Sequence, residues 1–174
     1  MSEPAWREKL EHLYRVFSRY PLPEQIPGCP CCVGEEDQQK LHSQSLRELS
    51  DDDLGLYATK AMTTWGGVDD YRHFLPRLFE LSLTTAHGYL GLDADMIGGK
   101  LGYGDFSSWP EAERRAVEEL LDSLEPVVFD DSAEDACTTD LPPGAPRWSR
   151  SDLAACREEI RTTTRGFPDA SSQE

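Results

Sequence analysis

The sequence has no run of 18 apolar residues and few basic residues, and each absence excludes a class of protein. Without such a run, no transmembrane helix is expected. The chain has 17 lysines and arginines and 33 aspartates and glutamates, which gives a formal net charge of −16. Proteins that bind nucleic acid or anionic membranes need a basic face, so we expect neither nucleic acid nor membrane as a partner.

The amino-terminal residues lack the pattern of a secretory signal, because no basic stretch precedes an apolar core in MSEPAWREKLEHLY. A cytoplasmic location is therefore expected. The chain has five cysteines, at positions 29, 31, 32, 137 and 156. An odd number of cysteines in a chain without a signal argues against a disulfide framework and favours reduced thiols.

Strand patterns are also scarce, since only residues 127–129 form a short β-like run. Elsewhere the apolar residues recur with a period near 3.6, which is typical of helices. This period predicts helices over about residues 5–20, 50–65, 68–83, 93–101, 108–124 and 151–161, and the polar segment 35–43 is expected to form a further short helix. Pro76 lies inside the helix predicted over 68–83 and should kink or divide it.

The predicted fold class is therefore all-α. We expect a single irregular helical domain over residues 1–128 with a long Cys-containing loop over 21–34. Residues 129–174 are acidic and contain several prolines, and they predict a loosely structured extension with one short helix.

Residues 28–34, Gly-Cys-Pro-Cys-Cys-Val-Gly, are the most informative segment of the loop. Cys29 and Cys32 have the C-x-x-C spacing that lets two thiolates reach one ion from a tight turn, and Zn²⁺ usually takes four Cys or His ligands. A second C-x-x-C is absent, so the other ligands would come from Cys31, His42, His73 or His87. Free structural or redox-active thiols are an alternative, and a disulfide is another.

Two further segments have simpler interpretations. Residues 98–104 are rich in glycine around Lys100, but no Ser or Thr follows the lysine and no strand precedes it. They therefore indicate close packing or a flexible helix end rather than a phosphate-binding loop. The three aspartates at 51–53 follow Ser50, and a role in capping a helix start explains them.

Three stretches carry a resemblance: YPLP leading to GCPCC over 20–32, LREL over 46–49, and AMTTWG running into DDYRHFLPRLFEL over 61–81. They resemble a group of uncharacterised soluble bacterial proteins with a Cys-containing loop followed by T-W-G and H-F-L-P-R segments. The resemblance covers about residues 5–125 and implies no particular activity. His73 lies inside the matching segment and His42 outside it, which favours His73 as the distant partner of the cysteine pair.

These features suggest a helical protein without catalysis of its own, in which a Cys29–Cys32–His73 zinc site pins the loop to the helix over 69–83. Metal would stabilise the fold because its ligands meet only in the folded state. Residues 109–174 hold sixteen acidic and seven basic residues. This excess of negative charge predicts a surface that binds a basic protein partner, as an inhibitor or immunity-like protein would. The alternative is a metal- or thiol-dependent enzyme that uses the Cys29–Cys32 loop.

Overall fold

The computed structural model describes residues 3–85, 91–132 and 141–163, and within these ranges the fold is all-α. Short 3₁₀ turns at Leu46–Glu48 and Phe106–Ser108 join the α-helices, and the β-bridges of the described residues are isolated. The seven α-helices of these ranges are α1 (Ala5–Phe17), α2 (Glu35–Leu41), α3 (Asp51–Lys60), α4 (Val68–Thr84), α5 (Ala94–Tyr103), α6 (Glu111–Leu124) and α7 (Arg150–Thr162). The predicted all-α class is confirmed.

Among the described helices, none combines the length and apolar character that crossing a membrane requires.

The third helix is shorter than its hydrophobic pattern predicts. Ser50 caps it as expected, since its hydroxyl accepts the Asp53 N–H at 3.2 Å and the Asp53 carboxylate accepts the Ser50 N–H at 2.9 Å. The pattern predicts a helix as far as Trp65, but α3 ends at Lys60 and Met62 has a φ of 64°. Trp65 lies in the turn that follows α3, and its side chain is buried in the core. Its spacing from the apolar residues of α3 therefore fits a helical pattern although its backbone is not helical.

α4 is the central helix of the hydrophobic core. Pro76 lies within it and cannot donate a hydrogen bond to the carbonyl of Arg72, yet α4 remains one helix from Val68 to Thr84. α1 packs against α4 and α6. The core-facing residues of α4 and α1 include Tyr71, Phe74, Leu75, Leu78, Phe79, Leu81, Leu83, Trp6, Leu10, Leu13, Tyr14 and Phe17.

A buried carboxylate joins these three helices. Glu113 of α6 is 1% exposed, and its carboxylate pairs with Arg19 at 2.5 Å and with Arg72 at 3.4 Å. The Tyr20 hydroxyl also donates to Glu113, and the Arg72 guanidinium lies 4.3 Å from the ring centre of Trp109. Because these partners come from the end of α1 and from α4, Glu113 fixes their positions relative to α6.

α5 and α7 pack with their backbones nearly in contact. A Cβ on Gly98 would lie 2.9 Å from the Cα of Cys156, and closer still to its carbonyl oxygen. A Cβ on Gly102 would lie 2.5 Å from the carbonyl oxygen of Thr163. The glycines at 98 and 102 therefore serve close packing, one of the two alternatives expected from the sequence.

The hydrophobic core continues into the predicted carboxy-terminal extension. Trp148 is fully buried, and its indole N–H donates to the Ser82 hydroxyl of α4 at 2.8 Å. The Arg147 N–H donates to the carbonyl of Leu83 at 2.8 Å. Leu153 of α7 is also buried. The short helix predicted there is confirmed as α7, and it shares one core with residues 1–128.

Candidate functional site

The Cys-containing loop closes into a tight turn that we call the cysteine turn, residues 29–33. The Cys29 carbonyl accepts the N–H groups of Cys32 and Val33, each at 2.9 Å. Pro30 occupies the second position of the turn, where its fixed φ favours this conformation. The three thiols therefore emerge from one short piece of chain.

Main-chain contacts anchor the cysteine turn to the segment that follows α3. The Cys29 N–H donates to the carbonyl of Thr64 at 2.8 Å, and the Lys60 ammonium donates to the carbonyl of Cys32. Gly28 packs against Trp65, where a Cβ would meet the indole Cδ1 at 3.2 Å. The turn therefore rests on the end of α3, a relationship that the sequence pattern does not indicate.

The sulfur atoms of the turn lie close together at the surface. The Sγ atoms of Cys29 and Cys31 are 3.2 Å apart, Cys31 is exposed, and Cys29 and Cys32 are half-buried. Hydrogen bonds from the Cys31 thiol, the Cys31 N–H and Cys32 lower the pKa of Cys29. The same hydrogen bonding to Cys29 raises the pKa values of Cys31 and Cys32. The hydrogen bonding of the turn therefore favours a thiolate on Cys29.

Cys156 has the opposite environment. Its side chain is fully buried, and burial raises the pKa of its thiol to about 12. Thiols react as thiolates, so Cys156 is chemically inert in the folded protein. Cys137 lies outside the described residues.

The two predicted histidine ligands contact main-chain carbonyls. In His42, Nδ1 lies 2.7 Å from the carbonyl oxygen of Gln38 and Nε2 lies 2.8 Å from that of Pro23. In His73, Nδ1 lies 2.7 Å from the carbonyl oxygen of Tyr20. A carbonyl only accepts, so the Nδ1 atom of His73 carries a hydrogen.

Within residues 3–85, 91–132 and 141–163, no group of three or more Cys, His, Asp or Glu side chains is arranged to hold a metal ion. Cys29, Cys32 and His73 do not form such a group in this structure, and neither do Cys31 and His42 with them. The predicted zinc site therefore stays a prediction. His87 lies outside the described residues.

His73 instead lines a cavity of about 570 Å³, which we call the α1–α4 cavity. It opens between α1, the 3₁₀ turn at Leu46–Glu48 and α4. Its lining includes Tyr14, Arg15, Phe17, Tyr20, Arg47 and His73. These residues come from three separate segments, so no linear motif points to the cavity.

No family model matches the chain, and comparisons with curated proteins and with solved structures likewise find no match.

Proposed function

We propose that the protein acts by thiol–disulfide exchange at the cysteine turn, with Cys29 as the attacking thiol and Cys31 as its partner. The observation that carries the proposal is the 3.2 Å separation of their Sγ atoms on an accessible turn. A low-pKa, accessible thiol beside a second thiol is the arrangement that redox-active cysteines use.

The reaction follows from this geometry. The Cys29 thiolate attacks one sulfur of a substrate disulfide R–S–S–R, the S–S bond breaks, and RS⁻ leaves and takes up a proton. The Cys31 thiol then loses its proton to solvent and attacks the Cys29 sulfur, releasing the second RS⁻. Two electrons pass from the two cysteines to the substrate, which becomes two thiols, and a Cys29–Cys31 disulfide remains.

The test uses the reduced full-length protein carrying Cys137→Ser, with glutathione disulfide as the substrate and mass spectrometry as the readout. We expect an internal disulfide and release of two glutathione molecules per chain. Cys31→Ser should stop the reaction at a glutathione adduct on Cys29, and Cys32→Ser should still form the internal disulfide. An internal disulfide that survives Cys31→Ser overturns the assignment of Cys31.

A structural zinc site is the second candidate. The main-chain N–H of Cys31 stabilises a thiolate on Cys29, and the thiolate is the form of cysteine that binds zinc. Elemental analysis of untagged protein purified without chelators separates the two. Under thiol exchange, the protein contains no stoichiometric zinc and Cys29 reacts freely. About one zinc per chain, with Cys29 and Cys32 protected until a chelator is added, overturns the exchange proposal.

A further inference from the structure

The α1–α4 cavity differs in charge from the rest of this acidic protein. The chain has a net charge of −16, yet Arg15, Arg47 and His73 line the cavity and none of the lining residues is acidic. Its volume of about 570 Å³ lies in the range of small-molecule sites. The cysteine turn is not part of the lining, so this site is separate from the proposed thiol chemistry.

The acidic side chains nearest to the cavity are already paired. Arg47 donates two hydrogen bonds to Glu11, at 2.7 and 2.8 Å. The Tyr14 hydroxyl donates to Glu80, which Arg77 also contacts at 2.7 Å. These pairings fix the wall of the cavity and neutralise the charges behind it.

Two groups of the lining stay available for a ligand. Arg15 is exposed and forms no ion pair with a carboxylate of the described residues. His73 holds the Tyr20 carbonyl through Nδ1, and Nε2 has no hydrogen-bond partner within the described ranges. Because Nδ1 already carries a hydrogen, Nε2 donates only when the ring is an imidazolium cation, and a guanidinium and an imidazolium together suit a carboxylate.

The remaining surface of the cavity is aromatic and apolar. Phe17, Leu46 and Pro76 contribute to it. The Arg47 guanidinium lies over the Tyr14 ring, 3.8 Å from its centre, and two further arginines lie over the ring of Tyr20. Tyr14 and Phe17 are buried parts of α1, so their rings are held in place by the core. An apolar surface held rigidly in this way suits a flat apolar ring.

We infer that the α1–α4 cavity binds a small aromatic carboxylate, with its ring against Phe17, Leu46 and Pro76 and its carboxylate on Arg15 and the Nε2–H of the protonated His73 ring. The site is preformed, because Glu80, Glu11 and the Tyr20 carbonyl already hold its walls. This inference does not depend on the proposed thiol exchange.

The probes are benzoate and its neutral analogue benzamide, titrated into the full-length protein and followed by NMR shifts of the His73 ring protons. A ligand of this size in a single cavity is expected to bind with a Kd of about 1 mM. We expect benzamide to bind about tenfold more weakly, because it lacks the charge that Arg15 contacts.

The matched variants are Arg15→Gln and Arg115→Gln, which remove the same charge from two exposed arginines. Arg115 lies on α6 and does not line the cavity. We expect Arg15→Gln to weaken benzoate binding about tenfold and Arg115→Gln to leave it unchanged. Equal affinity for the two probes, equal loss in the two variants, or no shift at His73 overturns the inference.

Discussion

The backbone of Gly98 in α5 lies against the backbone of Cys156 in α7, with no room for a side chain between them. A Cβ at position 98 would be 2.9 Å from the Cα of Cys156 and 3.0 Å from its carbonyl carbon. Both atoms belong to a helix backbone, which cannot give way as a flexible side chain does. The pairing of α5 with α7 therefore depends on this glycine.

Gly98→Ala should lower the free energy of unfolding by about 1–3 kcal/mol, because the added methyl group forces the two helices apart. Gly99→Ala is the matched control. A Cβ there would meet its nearest neighbour, the Glu159 carboxylate, at 3.6 Å, so the better helix propensity of alanine should add about 0.5–1 kcal/mol. Urea unfolding followed by circular dichroism measures both. Equal effects of the two substitutions would contradict the packing described here.

The buried contact between Trp148 and Ser82 gives a second prediction. Ser82→Ala leaves the indole N–H without its partner in the core, which should cost about 1–3 kcal/mol. In a double-mutant cycle with Trp148→Phe, the double variant should lose less than the sum of the single losses, because the two side chains contact each other. Additive losses would show that the segment before α7 does not share a cooperative core with α4.

Glu113 gives a third prediction, because it is a buried carboxylate shared by two arginines. Glu113→Gln keeps the shape of the side chain but leaves Arg19 without a counter-charge and leaves Arg72 with Asp69 alone, at 2.9 Å. We expect a loss of about 1–3 kcal/mol, the range for weakening hydrogen bonds to a buried charged group, because the Arg19 side chain is itself 58% exposed. Glu118→Gln, on the exposed face of the same helix, should change stability by less than about 0.5 kcal/mol. Similar unfolding curves for the two variants would refute the role assigned to Glu113.

The fourth prediction concerns the pH dependence of thiol labelling. Hydrogen bonds to Cys29 lower its pKa, so its thiolate forms, and reacts with iodoacetamide, at a lower pH than the thiol of an unfolded peptide. Cys31 and Cys32 should need a higher pH, and Cys156 should react only after unfolding. Short labelling pulses across a pH series, followed by peptide mapping, give the four profiles. Coincident profiles for Cys29 and Cys32 would contradict the hydrogen bonding of the turn.

The sequence predicts much of this fold because its information is local. Each of the seven α-helices in the described ranges is expected from the sequence, and the Ser50 cap is correct. For residues 98–104 the sequence leaves a flexible helix end and close packing open, and the structure shows close packing at Gly98 and Gly102. The partner of those glycines is not predictable, since α7 is distant in the chain. The sequence places the end of α3 too late, at Trp65 instead of Lys60. The reason is that Trp65 packs into the core although it lies in the turn after the helix.

The candidate site is only partly encoded in a local pattern. The spacing of Cys29, Cys31 and Cys32 predicts a thiol cluster on a tight turn, and the structure has one. The anchor on Thr64 and the α1–α4 cavity arise from tertiary contacts that no spacing reveals. The acidic surface for a basic protein partner stays a prediction.

The contact between Gly28 and Trp65 makes the indole ring an intrinsic optical reporter for the cysteine turn. The ring is buried, its N–H has no hydrogen-bond partner among the described residues, and the main chain just before Cys29 packs on its Cδ1 edge. A covalent change at Cys29 that displaces this main chain would alter the packing around the fluorophore. Emission from Trp65, one of the four tryptophans of the chain, is therefore expected to respond to the chemistry of the turn without any label on the protein.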